Sequence, residues 1–115
     1  MSARAEQLRI EDMSEAVDRI ERYTRGLSRD TFETDEMVVD AVLRNLGVLG
    51  EAARHVSAET RALAPEIEWT KIVRSRHIVV HEYMGVDLDI VWRIVAVYLP
   101  PLRKHLHSLL ARMGS

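Results

Sequence analysis

The chain has no cysteine, which excludes disulfides and thiolate chemistry and makes a cytoplasmic home the expectation. With only five glycines and three prolines in 115 residues, it is not a low-complexity or loop-dominated chain. No run approaches the roughly eighteen apolar residues of a membrane helix. The opening MSARAEQLRIEDM has no apolar signal core, so no membrane partner is expected. A formal charge of −2 argues against a broad electrostatic grip on nucleic acid. What is present is 30% charged and 47% hydrophobic residues, the profile of a folded, mostly helical chain. Residues 1–115 are long enough for one domain with a genuine core and too short for two.

The charge is not evenly spread. Residues 1–60 hold 13 acids against 8 Lys/Arg, whereas residues 61–115 hold 5 against 8, with four of the five histidines. An anion is therefore to be sought in the second half.

Hydrophobic periodicity predicts four helices in an all-α, up-down four-helix bundle. Leu8, Met13, Ala16, Val17 and Ile20 recur at helical spacing over about Ala5 to Thr24. RGLSRDTFETDE breaks that pattern, with Gly26 suited to a C-cap and Ser28, Thr31 and Thr34 to N-caps. A second helix is expected from about Asp35 to His55, its apolar side supplied by Met37, Ala41, Val42, Leu46, Leu49 and Ala53. Gly47 and Gly50, one turn apart within it, are expected to let another backbone approach, since each costs about 1 kcal/mol against alanine. A third helix is predicted from about Trp69 to Met84, with MGVD as a turn in which Gly85 is left-handed and Asp87 caps the next helix. The fourth runs from about Leu88 to Met113, with a kink expected near Val97 to Leu99 because Pro100 and Pro101 lack backbone donors. Arg103, Lys104, His105 and His107 give it a basic end, most simply a solvated terminus.

Within the third helix, RSRHIVVHEY (residues 74–83) concentrates chemistry. At about 100° per residue, Arg74, His77 and His81 share a stripe, while Arg76 lies about 140° round from His81. A histidine near neutral pKa moves protons, and an arginine holds two phosphate oxygens and offsets the charge of five-coordinate phosphorus. Those groups suffice for RNA cleavage by its own 2′-hydroxyl, with no serine, cysteine or metal. Spacing alone leaves His81 open between this role and that of a partly buried histidine bonded to a neighbouring helix. His77 and His81 at i, i+4 form half a zinc site with no third ligand nearby. Glu51, beside Gly50, is placed to orient an arginine or histidine, or simply to be a solvated carboxylate.

The order of these segments adds a resemblance. AVLRNLGVLGEAARHVS, followed by APEIEWTKIVRSRHIVVHEYMGVDLDIVWRIVAVYLPPLRKHL, resembles the HepT-type HEPN-domain toxins over roughly residues 10–110. Their core is Arg-x4-His-x-Tyr, here Arg76, His81 and Tyr83, flanked by LGEAA, Trp69 and GVDLDIVW. The resemblance implies a homodimer whose Arg-His pairs face across a cleft and a metal-independent endoribonuclease with RNA as substrate and no cofactor. In it Arg76 binds the scissile phosphate and His81 is the acid/base group, with Arg74, His77 and Glu51 as possible supporting or RNA-binding residues. It also implies a minimal nucleotidyltransferase antitoxin that adenylylates Tyr83, setting negative charge and bulk where RNA phosphate must sit. Two positions depart from the pattern: His77 stands where asparagine or aspartate is common, and Glu82 where glycine is frequent. The competing expectation is a non-catalytic helical module that binds nucleotide or docks the nucleotidyltransferase, which the negative net charge mildly favours.

Overall fold

The computed structural model describes residues 2–81 and 87–114; the side chains of residues 78–81 lie outside that description. Helix α1 (Ala3–Thr24) starts where the Ser2 side chain accepts the Ala5 N–H, and just past its C-cap Arg25 the chain turns at Gly26, whose φ of 80° favours glycine. A short α2 (Arg29–Thr34) follows, closed by a capping box between Ser28 and Thr31. Asp35, rather than Thr34, caps α3 (Glu36–Arg54) by accepting the Val38 N–H. A second short helix, α4 (Ala58–Ala62), carries the chain to α5 (Trp69–His81). The expected extension of α5 to Met84 and the turn at Gly85 lie outside the described residues. Asp87 caps α6 (Leu88–Arg93) as expected, and α6 runs on through a π-helical turn, Ile94–Tyr98, into α7 (Leu99–Met113).

That π turn falls where the prolines perturb the helix, at the expected Val97 to Leu99. In an α-helix, the Pro100 ring would press on the carbonyl four residues earlier, and neither proline has an N–H to give. Widening the turn removes the conflict: the Leu99 N–H reaches back five residues to Ile94 O, and both prolines fall in the first turn of α7, where no donor is missed.

The bundle is all-α, with α3 at its centre, packed on α1 along one side and α5 along the other, and with α7 laid on α1. Ile10, Met13, Val17 and Ile20 of α1 meet Val42, Leu46 and Leu49 of α3, closed below by Leu106 and Leu109. Leu8 and Met37, both expected on the apolar sides, are exposed instead. Each lies two residues before a buried one (Ile10, Val39), about 200° round the helix, so it cannot share that residue's face. Phe32 of α2 is fully buried, worth about 1.5–3 kcal/mol, and tilts against Trp92 with ring centroids 5.3 Å apart. Trp69 anchors the start of α5 by donating its indole N–H to Ala64 O at 3.1 Å.

The basic end of the last helix is more than a solvated terminus. Arg103 Nε donates to Asp18 Oδ1 of α1 at 2.8 Å, and His107 Nε2 lies 3.2 Å from the same oxygen.

Among the described residues, Glu6 is the buried carboxylate. Its Oε1 accepts from Ser57 N at 2.8 Å and from Thr60 Oγ1 at 2.7 Å, tying the start of α1 to the start of α4. Burial alone would raise its pKa; the bonds from Ser57 and Thr60 outweigh that and hold it below 4.5. A depressed folded value makes the contribution full above the unfolded pKa and lost as pH falls through the folded one. Glu6→Ala leaves two donors buried without an acceptor, and we expect it to cost about 1–3 kcal/mol at neutral pH in a denaturant titration. The gap to wild type should narrow as pH falls through the lowered pKa of Glu6, where wild type loses the charged share of that contribution. An equal gap at pH 3 and pH 7 would remove the carboxylate's charge from the account.

Candidate active site

The face of α5 that carries Arg76 lies directly on α3 at Gly50. A Cβ built on Gly50 would sit 2.5 Å from Arg76 Cβ and 3.3 Å from Ile72 O, so the two backbones meet there with no room for a side chain. Gly47 is different. Nothing lies within 4 Å of its would-be Cβ, so of the two glycines only Gly50 serves the close approach. One turn of α3 separates them, but helix crossing is a local contact and touches only one.

Seating Arg76 on Gly50 delivers its guanidinium to the next residue of α3. Arg76 Nε lies 2.9 Å from Glu51 Oε2 in an ion pair of two partly exposed side chains. The charges meet without the alignment of a hydrogen bond, since Oε2 has no hydrogen-bond partner among the described residues. Nε makes the closest contact of the pair, and the Arg76 side chain stays about one-third exposed. Glu51 therefore stands where it orients Arg76.

The other carboxylate oxygen has its own partners. Arg54 Nη2 donates to Glu51 Oε1 at 3.1 Å, and His55 Nε2 lies 3.1 Å from it. The His55 bond first, then the Arg54 bond and the charges of Arg54 and Arg76, lower the Glu51 pKa against a smaller desolvation effect, so Glu51 is a carboxylate throughout the neutral range. Arg54 and His55 were not among the residues singled out by sequence. They stand three and four positions after Glu51, a spacing at which side chains on one helix meet, and that signal was available.

Of the predicted residues, the structure brings Arg76 and Glu51 together. Arg74 and His77 are exposed on α5, Arg74 about 200° round from Arg76 and so turned from α3. His81 ends α5, with its side chain outside the described residues, as is the whole of Tyr83. Among the described residues, no three His, Asp or Glu side chains are grouped to hold a metal ion.

The family described as "Ribonuclease HepT-like" matches residues 13–109. The chain is 34% identical over 100 residues to the "Probable ribonuclease HepT" of Thermococcus cleftensis, covering 87% of this chain and 91% of that one. It is 30% identical over 104 residues to the "Putative RNase MJ1380" of Methanocaldococcus jannaschii, covering 90% and 95%. No solved structure matches it. Fold and relatives together define an all-α enzyme of the ribonuclease class. The chain belongs to the HepT-like ribonuclease family.

Proposed function

We propose that this protein is the toxin of a toxin–antitoxin pair, a metal-independent endoribonuclease that acts as a homodimer in the cytoplasm. The observation that carries the reading is the seating of Arg76 on Gly50 with Glu51 at its Nε, which places a partly exposed guanidinium beside an orienting carboxylate. Such a group holds the two non-bridging oxygens of the scissile phosphate and offsets their growing charge in the transition state.

The reaction needs only side chains and substrate. A neutral His81 takes the proton of the RNA 2′-hydroxyl as that oxygen attacks phosphorus. The 5′-oxygen of the next nucleotide leaves with a proton from a protonated histidine, and the products are a 2′,3′-cyclic phosphate and a 5′-hydroxyl. Arg76 and His81 are offset by five residues, about 7.5 Å along the helix axis, and about 140° around it. That offset supports a dimer, in which the His81 of the partner subunit meets the phosphate that Arg76 holds. Tyr83, two residues on, would be the acceptor of AMP from a minimal nucleotidyltransferase antitoxin, and the added phosphate would repel RNA from the same cleft.

The test is cleavage of tRNA and mRNA in EDTA by protein whose intact mass shows it unmodified, with fragment ends mapped. We expect cleavage and 2′,3′-cyclic phosphate ends. No cleavage by unmodified protein would replace this reading with the nucleotide- or partner-binding module, which the net charge of −2 mildly favours.

A further inference from the structure

A strand that lays one phosphate on Arg76 must lay its neighbours somewhere, and the surroundings of Glu51 show where. Four side chains converge there: Glu51 and Arg54 of α3, His55 at its C-cap, and Arg76 of α5. Two permanently charged guanidiniums face one carboxylate, a surplus of one positive charge, and protonation of His55 makes it two. In a chain of net charge −2, this is a local reversal of sign on a surface open to water, with all four side chains between about one-third and one-half exposed.

The two ends of the carboxylate are occupied differently. Arg76 meets Oε2, whereas Arg54 and His55 both meet Oε1, with Arg54 Nη2 3.4 Å from His55 Nε2. Glu51 thus stands between two cationic positions. A single phosphate cannot bridge them without pressing its own charge on the carboxylate. Two phosphates of one strand, one on each side, meet cations alone.

We propose that Arg54 and His55 form a second phosphate subsite, holding the RNA phosphate adjacent to the scissile one at Arg76. This rests on the ribonuclease reading and extends it from the reacting phosphate to the strand. Arg54 supplies a permanent charge and donors, and His55 supplies a ring N–H. The partial negative charge at the C-terminal end of α3 favours cations there, which keeps both side chains in place while lowering the net attraction for an anion. The contact is to backbone phosphate and carries no base information, so it adds affinity and register without sequence preference.

The experiment is fluorescence anisotropy of a labelled, uncleavable 2′-O-methyl oligoribonucleotide, titrated with full-length protein across a series of salt concentrations. For a single strand, each phosphate contact contributes about 0.7 to the slope of log K against log salt. Arg54→Gln with His55→Gln should lower that slope by about 0.7 and weaken binding about tenfold at low salt. Arg54→Lys should keep the wild-type slope, because the charge remains. Both side chains are half-exposed, so helix content by circular dichroism should stay at the wild-type level, and each single Gln substitution should show part of the effect. An unchanged slope and affinity in the folded Gln variants would overturn the subsite while leaving the ribonuclease reading intact, provided wild type still cleaves RNA. Wild type that neither binds the oligoribonucleotide nor cleaves RNA would overturn both.

Discussion

Gly50→Ala is expected to lower stability by about 1–3 kcal/mol and to depress RNA cleavage at the same time. In an exposed helix, replacing glycine by alanine should gain about 1 kcal/mol, so the predicted sign is opposite to propensity. The reason is the opposing atom. At 2.5 Å the added methyl meets Arg76 Cβ, which is anchored to the α5 backbone and cannot swing aside as a side-chain tip would. Ile72 O at 3.3 Å and Arg76 Cα at 3.4 Å block the alternatives, so α5 must move off α3 as a body. Arg76 moves with it and loses Glu51. Gly47→Ala is the matched control, since nothing lies within 4 Å of its Cβ, and it should be neutral or stabilising by up to about 1 kcal/mol. Urea unfolding of the two variants beside wild type decides the matter. Equal stabilities would show that α5 does not depend on the close approach at Gly50.

His81→Ala should lower the rate of RNA cleavage by about 10²–10⁴, the usual contribution of a positioned proton carrier, with helix content unchanged. Arg76→Lys should lower it by about 10²–10³ although the charge is conserved. An ammonium is a point charge: it has no Nε to rest on Glu51 and no planar fork to span two phosphate oxygens. The two variants should differ in binding. His81→Ala keeps the phosphate contact and its affinity for an uncleavable oligoribonucleotide, whereas Arg76→Lys loses part of it. Normal cleavage by a folded His81→Ala protein would sink the acid/base role and with it the mechanism.

Of this site, the pair that the structure brings together, Arg76 and Glu51, is legible in the sequence. Arg76, His81 and Tyr83 were picked out by their order with LGEAA and GVDLDIVW around them, and Glu51 by its place beside Gly50. Arg54 and His55 stand at i+3 and i+4 from Glu51, a helix-surface pattern that lets the three meet but does not say that a second helix brings Arg76 to them. The prolines at 100 and 101 were read correctly as a perturbation, but its form was not legible. A π turn is one of the forms that relieve the clash, and it leaves Val95 and Leu99 buried in the core.

What the sequence by itself determined lies within about one helical turn: the caps at Ser28 and Asp87, the C-capping Gly26, the apolar seam of α1 from Met13 to Ile20, and the family motif in its order. These depend on neighbours three or four positions away, which a linear pattern records. Only the tertiary structure decided that Gly50 and not Gly47 meets α5, that Glu51 takes Arg76 at Nε, and that Asp18 gathers Arg103 and His107. Those pairings turn on how far each helix is rotated about its axis and where two helices cross. Rotation and crossing are fixed by the fit of many side chains at once, and no single stretch of sequence contains that sum.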